Sequence, residues 1–163
     1  MFSAVARPLL VAEAMIPPKN ILVPTDFSEA AGVALDYAVE LAAKLGAAVH
    51  VVHAFELPLV GFPDGTMTIS AEMASRIIDA AQKALDELAK KHASRNVELH
   101  TFLEQADPRD AVLSAAKKVG ADLIVMGTHG RRGIARALIG SVAESVVRTS
   151  SIPVLTLREA RGT

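Results

Sequence analysis

Cysteine is absent from the 163 residues, which excludes disulfides, thiolate nucleophiles and thiolate metal ligands. Tryptophan is absent too, and aromatics make up only 4%, which removes the stacking platforms that single-stranded nucleic acid needs. An excess of one charge is also missing. The net charge of −1 carries no basic surplus that would ask for a polyanion or an anionic membrane surface. No apolar run reaches the ~18 residues of a membrane span. Met1 to Ala14 is mildly apolar, but the run is short, Pro8 interrupts it and Arg7 is its only positive side chain. A secretory leader would want a longer apolar stretch and a small-residue cleavage site. We therefore expect a cytoplasmic protein with neither a nucleic-acid nor a membrane partner. Residues 1–18 read as an extension ahead of the core.

What is present is a globular composition, 51% hydrophobic and 21% charged, in a chain long enough for one domain with a real core. Lys19 to Thr25 reads as a first strand with a continuous apolar centre, as in a parallel strand covered on both faces. Asp26 and Ser28 are good caps for a helix from Glu29 to Leu45, which Gly46 stops. Ala47 to Phe55 is a second strand. Glu56 to Ser70, rich in Pro and Gly, is a long loop. The longest helix runs from Ala71 to His92, with Met73, Ile77, Ala81, Leu85 and Leu88 as its apolar stripe. Asp79–Lys83, Asp86–Lys90 and Glu87–Lys91 are expected ion pairs on its solvated side. Asn96 to Leu103 suits an outer strand. Asp107-Pro108 starts a helix that ends at Val119 before Gly120. Ala121 to Met126 and Pro153 to Arg158 complete five strands, and Ser141 with Glu144 fits a capping box for the last helix.

Alternation of strands and helices implies an α/β fold: one domain over residues 19–158, with a parallel sheet between two helical layers and a short tail at 159–163. In such sheets ligands sit at strand carboxyl ends where the strand order reverses. If the order is 3-2-1-4-5, the ends of the first and fourth strands converge on one crevice.

The fourth strand leads into Gly127-Thr128-His129-Gly130, then nine residues, then Gly140-Ser141 and a helix. Strand, glycine-rich loop, helix start is a layout that holds phosphate: glycines admit close backbone approach, and a helix N-terminus supplies free N–H groups. Gly127, Gly130, Gly140 and Ser141 are the candidate donors. Arg131, Arg132 and Arg136 place charge nearby, whether on the ligand or in solvent. Walker lysine and Gly-x-Gly-x-x-Gly are both absent, so binding is expected over fast phosphoryl transfer. The plainer alternative is a glycine-rich connection with no ligand.

Gly127-x-x-Gly130-(nine residues)-Gly140-Ser141 resembles the signature of the ATP-binding branch of the universal stress protein family. So do Ile21 to Ser28, Ala121 to Gly130 and Ile152 to Leu155. The resemblance implies a Rossmann-like open sheet of order 3-2-1-4-5, ATP with Mg²⁺ or Mn²⁺, and a role in stress signalling through a client protein. It also implies a homodimer paired through the last strand, Pro153 to Arg158. By position, Pro24, Thr25 and Asp26 would border the adenosine. Ala54, where the family often has Val, would sit against the adenine, and Met126 and Gly127 would line base and ribose. His129 to Gly133 (Gly130, Arg131 and Arg132 between them) would hold the phosphates together with Gly140, Ser141 and Val142, and Thr128 belongs to the same binding set. Gly133 stands where polar residues are common in the family, so it can offer only backbone.

Asp26 has two readings, a contact to ligand or metal-bound water and a plain helix cap. His129 is a weaker candidate for a base in a slow ATPase or phosphotransferase, and no catalytic residue is assigned. His50 and His53, three apart on a strand, face opposite sides and are not expected to share a metal. His92 and His100 lack ligand spacing. A ligand-free interaction protein is the remaining reading.

Overall fold

The structure is a computed structural model that describes residues 17–61, 63, 67–128 and 139–158. Five strands form one parallel sheet: β1 (Asn20–Pro24), β2 (Ala48–Phe55), β5 (Leu99–Gln105), β6 (Leu123–Gly127) and β7 (Val154–Leu157). Their spatial order is β5-β2-β1-β6-β7, which is 3-2-1-4-5 when only these strands are counted. Helices α1 (Glu29–Leu45), α2 (Ala71–His92), α3 (Pro108–Val119) and α4 (Ser141–Thr149) cover the two faces. The loop from Glu56 to Ser70 contains a two-residue antiparallel pair, β3 (Val60–Gly61) with β4 (Met67–Thr68).

Alternation along each strand divides the core in two. Ile21, Val23, Val49, Val51 and Val125 face α1 and meet Ala34, Leu35, Ala38 and Val39 together with Leu85 of α2. Leu22, Val52, Ile124 and Met126 face the other way, onto Val112 and Ala115 of α3 and Ala143 and Val146 of α4. Small residues on the helices let them lie close to the sheet.

Local chemistry sets the helix ends. Ser28 Oγ accepts from the Ala31 amide and caps α1, and Gly46 ends it in the left-handed region at φ 67°. Asp107 caps α3 with Pro108 in its first turn, and Gly120 ends it at φ 60°. Some expectations fail. Ser141 is the first residue of α4 and Gly140 is its cap, with no side-chain capping bond, because the chain arrives at Gly140 already tied to Thr128. Met73 is 49% exposed: the later part of the α2 stripe, Ala81, Leu85 and Leu88, is what reaches the core. The acids expected to pair with lysines on α2 also choose other partners. Asp79 accepts from Ser75 and Asp86 from Gln82, while Lys91 lies 4.0 Å from Asp36 of α1. The buried His92 ties the two helices further, one ring nitrogen on Leu88 O and the other 2.8 Å from Asp36.

Candidate functional site: the crevice between β1 and β6

β1 and β6 pair through Ile21 with Leu123 and Leu22 with Ile124, and no further. Pro24 explains the stop. The Thr25 amide donates to Val52 O of β2, and amide directions alternate along a strand, so the N–H that Pro24 lacks would have faced β6. The ladder ends and the two strand ends open a crevice at the point where strand order reverses.

One wall is the turn from Pro24 to Ser28. Thr25, 7% exposed, accepts from the Phe27 amide through Oγ1 at 3.0 Å. Asp26 Oδ1 accepts from the Ser28 amide at 3.0 Å. These short-range bonds hold Phe27 at φ 61°, a left-handed conformation rare for an aromatic residue. The helix-cap reading of Asp26 is corrected here: Ser28, not Asp26, caps the helix, and Asp26 shapes the turn before it. Ala54 sits two residues beyond Val52, which pairs with Pro24, and is therefore near this wall. His53 was not among the expected site residues. Its Nδ1 lies 2.8 Å from Thr25 O, and its ring centroid is 4.5 Å from that of Phe27. The signal was weak in sequence because a strand histidine beside an apolar residue reads as ordinary alternation.

The other wall begins at Gly127. A Cβ there would meet the Ala30 backbone at 2.9 Å and its side chain at 3.0 Å, so α1 rests directly on this residue. The glycine expected as a ligand donor is required first for packing, and it joins the two walls. Thr128 is buried. Its N–H donates to Leu157 O at 2.9 Å, and its carbonyl accepts from the Gly140 amide at 2.7 Å. Chain thus leaves the sheet and returns to it at the same point. Met126 is only 5% exposed and its side chain is consumed by the core, so that side chain is not offered to a ligand. Val142 is half-buried against that same cluster. The amides of Ser141, Val142 and Ala143 precede the first intrahelical bond, from Glu144 N–H to Gly140 O, and among the described residues no side chain caps them, the arrangement that suits an anion. His129, Gly130, Arg131, Arg132 and Gly133, with Arg136, lie outside the described residues.

His50 and His100 lie on neighbouring strands with ring centroids 5.2 Å apart and stacked. His50 also contacts Asn20 Oδ1, and His100 contacts Glu98. Burial first, then the neighbouring His100, hold the His50 pKa below the ordinary histidine value, against the pull of Glu98. Among the described residues no group of three or more His, Asp or Glu side chains could hold a metal ion.

Known proteins share this architecture. A universal stress protein of Methanocaldococcus jannaschii, MJ0531, is 33% identical over 145 residues, 88% of this chain and 84% of that one. The solved structure of UspA from Lactobacillus plantarum superposes with a TM-score of 0.72 at 27% identity, covering 86% of this chain and 97% of that chain. A universal stress protein from Archaeoglobus fulgidus, solved in complex with dAMP, superposes with a TM-score of 0.61 at 28% identity, covering 86% and 98%. The sequence model of the family matches residues 17–158, the same span that builds the sheet, its covering helices and the crevice, and the chain belongs to the universal stress protein family.

Proposed function

We propose that the chain binds ATP in the crevice between β1 and β6 and works as a nucleotide-dependent regulatory module in stress response, with little or no turnover. The observation that carries this reading is the pairing of walls. A turn braced by its own side chains, Pro24 to Ser28, lies across the crevice from Gly127, Thr128 and the N-terminus of α4, where Gly140 is the cap and makes no side-chain capping bond. The first suits a nucleoside, and the second suits phosphate oxygens. The dAMP bound by the Archaeoglobus fulgidus relative supports an adenine nucleotide as the ligand class. Gly127, Thr128, Gly140, Ser141 and Val142, with His129 to Gly133, are the proposed phosphate and ribose contacts.

Mg²⁺ or Mn²⁺ fits this donor set in one way. The described residues include no cluster of carboxylates, so the ion would be held by phosphate oxygens and water, with Asp26 as a carboxylate acting through water. β7 lies at the sheet edge, where an unpaired strand invites association. Antiparallel pairing with the same strand of a second copy would satisfy both edges at once. The Glu56–Ser70 loop is the surface offered to a client.

Titration of the purified protein with ATP, ADP, AMP and cyclic AMP tests the reading. The expected result is adenine-nucleotide binding in the wild type and its loss in Gly140→Val, whose side chain would fill the mouth of the loop. Normal binding by that variant would move the site elsewhere. Phosphate release from ATP and Mg²⁺ that vanishes in Asp26→Ala would replace the binding module with a slow ATPase. Sedimentation as a monomer at micromolar concentration would remove the dimer.

A further inference from the structure

We infer that His53 is a positioning residue of the nucleotide crevice, one that holds the turn after β1 in its binding shape; this rests on the adenine-nucleotide reading above. Thr25 O can only accept, so the 2.8 Å contact fixes the proton on Nδ1 of His53. The opposite side of the same turn is met by the same ring, which lies 4.5 Å from the ring of Phe27 and tilted by 42°. His53 therefore grips the turn before and after Asp26. The residue gripped last, Phe27, is the one at φ 61°.

A left-handed aromatic residue persists only where its surroundings over-determine it. Three contacts do so here: the Thr25 hydroxyl on the Phe27 amide, the packing of Phe27 on the first core cluster, and His53. Of these, His53 holds the turn from the neighbouring strand β2 by both a hydrogen bond and a ring contact. The Thr25 backbone is then held from both ends, its N–H on Val52 O and its carbonyl on His53. Both acceptor and donor belong to β2, next to Ala54 at the proposed adenine wall. Without the histidine, the turn would relax between conformations, and nucleotide binding would have to order it again, which lowers affinity without removing any direct contact.

The geometry makes a chemical distinction testable. An asparagine amide at this position places an N–H donor near where Nδ1 stands. A glutamine amide places its donor near Nε2, away from Thr25 O. We expect His53→Ala and His53→Gln to weaken ATP binding by about tenfold, the order expected for one lost hydrogen bond. His53→Asn should stay within about threefold of the wild type. Amide hydrogen exchange in the nucleotide-free protein gives a second readout: Phe27 and Ser28 should exchange faster in the alanine and glutamine variants and at the wild-type rate in asparagine. Equal weakening in all three variants, or wild-type affinity and exchange in His53→Ala, would overturn the inference. A wild type that binds no adenine nucleotide would overturn the proposed function instead, while the exchange pattern would still decide whether His53 braces the turn.

Discussion

In the turn after β1, side chains of the turn itself take the amide hydrogens. Phe27 N–H goes to Thr25 Oγ1, Ser28 N–H to Asp26 Oδ1 and Ala31 N–H to Ser28 Oγ. Across the crevice, α4 opens with Gly140 at its cap, and among the described residues no side chain takes the amides that follow. The first wall is finished without a ligand, and the second leaves donors for one. A site divided this way separates shape from charge: one side offers a fixed surface against which a nucleoside can rest, and the other offers N–H groups that an anion completes. Gly127 connects them, because α1 begins at the end of one wall and lies on the first residue of the other.

The largest effect is expected where the two walls touch. Gly127→Val drives a branched side chain into the Ala30 backbone, which cannot swing aside as a flexible side chain would. Overpacking of this kind costs about 1–3 kcal/mol, so thermal unfolding should shift clearly downward and ATP binding should be lost with it. A variant as stable as the wild type would mean that the walls are mechanically independent. Ser28→Ala breaks the comparison on one side only. Loss of the cap should cost about 1 kcal/mol by denaturant titration. ATP affinity should change by less than about threefold, since the donors sit on the other wall. Equal losses of stability and affinity would show that the first wall does more than provide shape.

The smallest effect lies away from both walls. His50 is half-buried beside His100, and its pKa is lowered by burial and by that neighbour. The folded protein thus binds fewer protons than the unfolded chain in the window just below the ordinary histidine pKa of about 6.5. Stability should be fully present above that value and fall as pH drops through it. His50→Gln should flatten this slope in a series of denaturant titrations. An unchanged slope would place the acid sensitivity elsewhere.

Much of the fold was legible because local chemistry and tertiary structure agree. Gly46 and Gly120 are where the chain turns left-handed, and Asp107-Pro108 leaves little choice but a helix start. The strand order came from the family resemblance, and it is the order that brings the two motifs together. What was hidden depended on long-range contacts. Ser141 looks like a cap beside Glu144, yet the bond from Gly140 to Thr128 O sets the helix start one residue earlier. Met73 fits the helical period, but the core does not extend beneath it. Lysines spaced for ion pairs on α2 lost their acids to Ser75 and Gln82, which reach them from the preceding turn. His53 could be placed at the crevice only once β2 was known to lie beside β1.

The stem of the glycine loop is not made by the loop alone. Thr128 is held on one side by Gly140 and on the other by Leu157 O, the last residue of β7. The loop is therefore not a portable cassette. Grafted onto another strand–helix junction, residues 127–141 would arrive with a buried N–H lacking its acceptor, a defect of about 1–3 kcal/mol. Shortening this chain before Leu157 would create the same defect in place, so the closing strand of the sheet is part of the loop's own wiring.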